Sequence, residues 1–177
     1  MSTFSRRLIG AARLDPATYE EVEADARATG QACAVVLLSS VASGIGQPRL
    51  GIIGSGSLVM GAVGALVGWL AWAGLTYLIG TRLLPEPQTR SNVGELMRTL
   101  GFAASPGLLQ LFGAIPGLGP LVFLIVQVWM LAATVVAVRQ ALDFTSTARA
   151  VGVCVVGWGL ALVLALLMAG AFPRVVS

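Results

Sequence analysis

The chain has 177 residues and a formal net charge of +3; 56% of its residues are hydrophobic and only 11% are charged. Average soluble domains carry about 25% charged residues, so this chain cannot cover its surface with polar groups in water, and lipid must be its solvent. Because it contains no histidine and no lysine, the composition excludes histidine-based catalytic sites and phosphate-binding loops that end in lysine.

The first stretch, residues 1–27, is predicted to be a small amphipathic and acidic cytoplasmic element rather than a cleavable signal. The first thirty residues hold four arginines and five acids, and they contain no apolar run of signal-peptide length. Phe4 and Leu8 begin an apolar helical stripe. The basic side chains of this helix are expected to contact anionic headgroups, and they are Arg6, Arg7 and Arg13.

A second helix of the same element is predicted to start at Asp15 and Pro16, because an N-cap acid followed by proline is typical of a first helical turn. A run of four acids follows between residues 20 and 25. Two interpretations remain open for this helix. It is either a solvated segment that leads into the first span or a docking surface for a basic partner.

Five apolar segments then predict an all-α membrane protein with five transmembrane helices, in a membrane domain over residues 28–172. A span needs about 20 mostly apolar residues. The third segment is short, because its length of about 24 Å is less than the hydrocarbon core of about 30 Å. Residues 173–177 are expected to form an external tail. The five segments are 28–46, 51–80, 100–115, 119–138 and 150–172.

The arginines indicate the orientation of these spans. Nine of them precede the first span or lie in the second and fourth loops, whereas only Arg49 and Arg174 lie on the opposite side. The positive-inside rule therefore predicts a cytoplasmic N-terminus and an external C-terminus. All eight acids also fall on the cytoplasmic side.

The third helix is predicted to begin near Val93 and to kink at Pro106. Asn92 followed by Glu95 matches a helix N-cap with its capping partner. Pro106 has no N–H and its ring displaces the hydrogen bond to the carbonyl of Phe102, so the helix is expected to bend there.

A tight turn is predicted between the third and fourth spans, so that the kinked third helix pairs with the fourth as a hairpin. Residues 105–121, SPGLLQLFGAIPGLGPL, hold three prolines and four glycines and no charge. A re-entrant loop that does not cross the membrane is the alternative. The residues expected to shape the bend and the turn are Pro106, Gly107, Pro116, Gly117, Gly119 and Pro120.

Polar side chains inside the membrane segments are costly and are often functional. Gln110 and Gln127 are expected either to form a pair that bridges the two arms of the hairpin or to line a polar pathway. Arg139 and Asp143 are four residues apart, which favours an ion pair at the end of the fourth helix. The hypothesis is a cytoplasmic polar cluster that clamps the base of the hairpin, formed by Glu95, Arg98, Arg139 and Asp143.

Small residues recur at helical spacing in two of the spans, and they favour close helix packing. The stripe of the second span comprises Gly54, Ser57, Gly61, Gly64, Gly68 and Ala71. The stripe of the fifth span comprises Gly157, Ala161, Ala165 and Ala169. Packing within the chain is the first interpretation of both stripes, and homo-oligomerisation is the alternative. Cys33 and Cys154 are expected to be small packing residues rather than a disulfide or a metal pair.

Residues 96–158 contain an arginine and Gly-Phe before Ser-Pro-Gly, a Pro-Gly-Leu-Gly turn, Trp129 in the next span, and AVRQALD at its end. With RLDPATYEEVEAD before the first span, these motifs resemble the bacterial branch of the Ypt-interacting-protein (YIP) family of integral membrane proteins. The resemblance implies a five-span domain in the bacterial cytoplasmic membrane. Eukaryotic relatives are described as partners of Rab-type GTPases and as membrane-shaping factors. This chain lacks their Asp-Leu-Tyr-Gly-Pro motif, so GTPase binding is not expected.

The expected function is non-enzymatic: a scaffold or membrane-organising partner that acts by binding. No catalytic constellation, cofactor site or metal site is found in the sequence, and no nucleic-acid partner is expected. The alternative is a small transport, channel or lipid-translocating protein that uses the kinked hairpin of residues 100–138.

Overall fold

The computed structural model describes residues 2–46 and 55–171, and over these residues the chain is helical, without strands. Helix α4 continues into a π-helical turn, Ile79–Leu83, and a 3-10 helix, Ser105–Ala114, stands between the fifth and sixth α-helices. The α-helices of the described part are α1 (Thr3–Ala12), α2 (Pro16–Ala24), α3 (Ala28–Gly46), α4 (Ser55–Leu78), α5 (Val93–Ala103), α6 (Gly119–Ala141) and α7 (Thr147–Ala171).

Three helical stretches of the described residues are long and apolar enough to cross a membrane: Ala28–Gly46, Val59–Leu83 and Gly119–Ala141. A shorter apolar stretch, Thr147–Val163, belongs to α7. The predicted start of the second span at 51–54, the last residue of the fifth span and the tail 173–177 lie outside the described residues, as do Arg49 and Arg174.

The helix starts that were predicted from local capping rules are confirmed. The Asp15 side chain accepts a hydrogen bond from the backbone N–H of Ala17 at 3.2 Å, and Pro16 opens α2. Asn92 and Glu95 form a reciprocal capping box, so α5 begins at Val93. In both places a side-chain oxygen satisfies a backbone donor that the first helical turn would leave without a partner.

The backbone changes from α-helix to 3-10 helix just before Pro106. The sequence predicted one bent helix through residue 115, whereas α5 ends at Ala103 and a ten-residue 3-10 helix follows. Because Pro106 cannot donate to the carbonyl of Phe102, the Ser105 hydroxyl donates to that carbonyl instead, at 2.5 Å. A 3-10 run of this length is unusual, since most are three or four residues long.

Helices α4 and α7 are held together by tryptophan packing. The rings of Trp72 and Trp158 stack with centroids 6.2 Å apart, and the α-carbon of Gly157 lies directly against the Trp72 ring. Gly157 therefore packs within the chain, as expected. The same expectation is wrong for Gly64 and Gly68 within residues 2–46 and 55–171, because their side of α4 is turned away from the other described helices.

Both cysteines are free, in agreement with their prediction as small packing residues. Cys154 is buried in the core of the bundle, and Cys33 is partly buried on α3.

Candidate functional site

Helices α1 and α2 form a cap, which we define as residues 2–27, that packs against α5 and α6. The Arg7 side chain is buried and binds three partners: the carboxylates of Glu21 at 2.9 Å and Asp25 at 2.8 Å, and the amide oxygen of Gln31 at 3.1 Å. The expectation that Arg7 contacts headgroups is therefore wrong, because these acids lie on the adjacent helix and enclose the guanidinium. Its hydrogen bond holds the pKa of Asp25 below the usual range.

The end of α1 is fixed by two aromatic side chains. The indole N–H of Trp129, halfway along α6, donates to the carbonyl of Ala12 at 2.7 Å. The buried Tyr19 hydroxyl donates to the carbonyl of Ala11 at 3.1 Å. These carbonyls belong to the last turn of α1, where intrahelical donors run out. The indole supplies a partner for the Ala12 carbonyl. The Tyr19 hydroxyl adds a second donor to the Ala11 carbonyl, which also accepts from the backbone N–H of Leu14 at 3.0 Å.

The end of α2 is fixed by Arg98 of α5. Its guanidinium Nε lies 3.0 Å from the carbonyl oxygens of Val22 and Glu23, and Nη2 also donates to the Glu23 carbonyl. A cation at a helix C-terminus complements both the free carbonyls and the negative end of the helix dipole. Arg98 therefore ties the cap to the base of α5.

A cavity of about 550 Å³ lies between the cap and the bases of α5 and α6. Its ionisable lining is mostly acidic, with one arginine. The polar residues that line it are Glu20, Glu23, Glu95, Arg139, Gln140 and Asp143. Burial first, and then the negative charges of Glu95 and Asp143, raise the pKa of Glu23 to about 7.

The hypothesis of a four-residue clamp is only partly matched by this geometry. Glu95, Arg139 and Asp143 line one cavity, but Arg98 points to the α2 carbonyls instead. Arg139 and Asp143 do not form the expected ion pair, because α6 ends at Ala141 and Asp143 takes a positive φ of 53°. Arg139 instead donates to backbone carbonyls just beyond the helix end, at 3.3 Å.

Gln110 and Gln127 are brought together across the hairpin. The Gln110 amide nitrogen donates to the Gln127 amide oxygen at 3.1 Å. Gln110 is only 5% exposed, and its own Oε1 has no hydrogen-bond partner. The pair therefore links the 3-10 helix to α6, and one acceptor stays unsatisfied inside the bundle.

The glycines and prolines of the 105–121 stretch have distinct positions. Gly107 lies so close to Ser39 of α3 that a Cβ would stand 1.9 Å from the serine oxygen. Gly117 has a φ of 86°, the left-handed conformation that favours glycine in a tight turn. Pro116 lies exposed in that turn. Gly119 begins α6 and Pro120 follows in its first turn, where a missing N–H costs no hydrogen bond.

The sequence did not reveal the role of Glu86. Its buried carboxylate accepts from the backbone N–H of Thr145 at 3.1 Å and from the Thr145 hydroxyl at 2.8 Å. Arg149 pairs with the same carboxylate at 3.4 Å. These bonds lower the pKa of Glu86, the backbone hydrogen bond most of all, and they join the 84–92 connection to the start of α7. Its only sequence signal is an acid between two prolines.

No three histidine, cysteine or acidic side chains within residues 2–46 and 55–171 are arranged to hold a metal ion. The polar groups of the site instead bind one another and backbone carbonyls, so the arrangement is suited to holding helices in place.

The long apolar helices, together with the charged helical cap that packs against them, identify the chain as an all-helical membrane protein. A family model of the Yip1 domain matches residues 14–168, and the chain belongs to this family. No match is found among curated proteins or among solved structures.

Proposed function

We propose that this protein is a non-enzymatic scaffold or membrane-organising partner, which acts by binding other membrane helices. The observation that supports this is the outer face of α4. Gly64 and Gly68, one helical turn apart, are exposed, and a Cβ at either would meet no atom of the described residues; Val63 and Val67 lie exposed beside them. Since small residues allow close approach of helices in lipid, this face is suited to another helix, and a second copy is the partner we test first.

The topology that accompanies this proposal has the five apolar segments inserted in a bacterial cytoplasmic membrane. The N-terminus and the cap lie in the cytoplasm, and the C-terminus lies outside. The third and fourth segments form a bent hairpin, supported by the helix change at residues 104–105 and by the hydrogen bond between Gln110 and Gln127.

The test is the subunit number of the full-length protein in vesicles, counted by single-molecule photobleaching at low protein-to-lipid ratio. We expect dimers or larger oligomers that dissociate when Gly64→Leu and Gly68→Leu are combined. Gly74→Leu is the matched control, because Gly74 also has free space around it but lies on another side of α4. A monomeric wild type, or equal losses in both variants, would contradict the α4 contact.

A further inference from the structure

The cap presents a polar surface. Within residues 2–27 Ile9 is the one large hydrophobic residue that is exposed, with 39% of its surface accessible. Arg13 and Asp15 are exposed at the tip, in the turn between α1 and α2. Since charged groups avoid the hydrocarbon core, the tip must lie at or outside the headgroup boundary.

The tip of the cap lies at the level of Trp129, because the carbonyl of Ala12 accepts the hydrogen bond from this indole. Trp129 is ten residues from the start of α6 at Gly119, or about 15 Å along the helix. The headgroup boundary on this side is therefore near the middle of α6 rather than at its cytoplasmic end.

The exposure of α6 changes at the same level. None of residues 132–141 is exposed, and the cap, α5 and α7 pack against α6. From Gly119 to Leu131, where exposure ends, the helix rises about 18 Å. The large exposed hydrophobics of α6 are Leu121, Phe123, Leu124, Ile125, Val128 and Leu131.

Helices α3 and α5 show the same pattern as α6. On α3 the large exposed hydrophobics begin only at Leu38, and on α5 only Val93 is exposed. Gly46, at the far end of α3, packs against the backbone of Gln110 and Gly113 near the hairpin turn. The outer ends of these elements are therefore close to one level, and the lipid-facing band between that level and the cap is short.

The lipid-facing band on the α4 side is longer. Its large exposed hydrophobics extend from Val59 to Leu78, which is about 29 Å of helix, and the exposed Arg82 lies one turn beyond them. A hydrocarbon core of about 30 Å fits this side but exceeds the band of about 18 Å on the α6 side. A bilayer meets such a mismatch chiefly by thinning next to the short side.

We propose that the bilayer is thinned along the face formed by the cap tip, the 3-10 helix and α6, and that phospholipids cross between the leaflets along this face. A headgroup that moves there traverses a shorter hydrocarbon path than in the bulk bilayer. The proposal is independent of the helix contact on α4, which lies on the side of full thickness.

Leu131 and Leu70 provide a matched pair for measuring the thinning. Gly80 of α4 lies directly against Leu142, and Leu70 and Leu131 lie ten and eleven residues from that contact, so each is about 15–17 Å away from it. Both side chains are exposed. In a bilayer of even thickness the Leu131 and Leu70 side chains would lie at the same depth. If the bilayer is thinned beside α6, Leu131 lies at the headgroups and Leu70 stays deep in the hydrocarbon core.

The first experiment uses the full-length protein without its two native cysteines, carrying Leu131→Cys or Leu70→Cys labelled with a fluorophore. Quenching by lipids with nitroxides at defined depths reports the position of each label. We expect Leu131→Cys to be quenched best near the headgroups and Leu70→Cys near the bilayer centre. Equal depths for the two labels would overturn the thinning.

The second experiment measures lipid transfer in vesicles of phosphatidylcholine and phosphatidylglycerol that contain a fluorescent phospholipid. Dithionite bleaches only the outer leaflet of empty vesicles, and we expect it to bleach both leaflets when the protein is present. Leu124→Ser should accelerate bleaching several-fold by adding a polar group to the thinned face. Leu70→Ser is the control and should not, because Leu70 is also exposed but lies on α4, on another side of that helix from Gly64 and Gly68. Bleaching no greater than in empty vesicles, or equal effects of both variants, would overturn the lipid path.

Discussion

The inner and outer halves of the hairpin are stabilised by different interactions. The inner half, around α5 and the end of α6, is covered by the cap and resembles a water-soluble protein, with ion pairs, a capping box and buried aromatics. The outer half, from the 3-10 helix to Leu131, has exposed apolar side chains and a single glutamine pair. The inner half should therefore respond to charge and pH, and the outer half to packing volume.

One of the two largest expected effects is at Arg7 of the inner half. Arg7→Met removes the buried cation that Glu21 and Asp25 share, and we expect a loss of about 2 kcal/mol in the free energy of unfolding, since hydrogen bonds to two carboxylates are lost. Arg6→Met is the matched control. Arg6 also pairs with Glu21, but its side chain is 60% exposed, so this substitution should lower the free energy of unfolding by only about 0.5 kcal/mol. Denaturant unfolding in detergent, followed by tryptophan fluorescence, measures both; similar losses would contradict the comparison.

The second large effect, of similar size, concerns packing in the outer half. Gly107→Ala places a Cβ 1.9 Å from the Ser39 oxygen and 3.2 Å from the Ser39 Cβ, so the serine must change rotamer and α3 must shift away from the 3-10 helix, at a cost of about 2 kcal/mol. Adding Ser39→Ala removes that oxygen and should recover part of the loss. Gly64→Ala, which meets open space, is the control. The thermal midpoint in detergent measures all of these variants, and a Gly107→Ala protein as stable as wild type would show that the contact is loose.

A smaller effect is expected at the glutamine pair. Gln127→Leu leaves the Gln110 amide buried without any partner and should cost about 1–2 kcal/mol. The double variant Gln110→Leu/Gln127→Leu should be less destabilised than the sum of the two single variants, because no unpaired polar group is left behind. A double-mutant cycle by thermal unfolding measures this coupling. Strictly additive losses would mean that the two amides do not stabilise each other.

The smallest effect is a pH dependence of cap docking. The pKa of Glu23 is about 7 in the folded protein against an ordinary value of 4.5, so the docked cap favours the protonated form. The stabilisation that Glu23 gives to the docked cap is complete below about pH 4.5 and is lost as the pH rises through about 7. The other charged groups of the cavity lining are Glu20, Glu95, Arg139 and Asp143, and the charge of Arg98, which binds the α2 carbonyls, also acts on Glu23.

Amide hydrogen exchange of α2, corrected for its intrinsic pH dependence, measures this effect in the full-length protein. We expect protection to fall between pH 5 and pH 8 in wild type, a window that contains the pKa of about 7, and to stay nearly constant in Glu23→Gln. A wild type with equally protected amides at both pH values would exclude Glu23 as the titrating group.

What the sequence could predict was local. Asp15 and Asn92 cap their helices through residues two or three positions away, so their patterns identified the helix starts. Arg7 and Glu86 act through partners on other elements, and no spacing rule indicates which helix will lie beside them. The expected pairing of Arg139 with Asp143 failed for a related reason, since it assumed a helix that continues to residue 143.

The family assignment agrees with the resemblance of the 96–158 block, and it supports a membrane protein rather than a particular activity. The division of α6 into an exposed and a covered half was not visible in its sequence, because residues 119–138 are apolar in both halves apart from Gln127 and Thr134. Only the position of the cap shows which part of that helix faces lipid.

The long-range bonds of the cap also constrain the order in which the protein is made. Residues 2–27 leave the ribosome before the hairpin does, and the groups that hold them, Arg98 and Trp129, are synthesised 75 to 117 residues later. Until the hairpin has been inserted, the cap has no surface to bind. The cap is therefore translated before the hairpin but reaches its native position after it, so docking of the cap indicates that membrane insertion of the hairpin is complete.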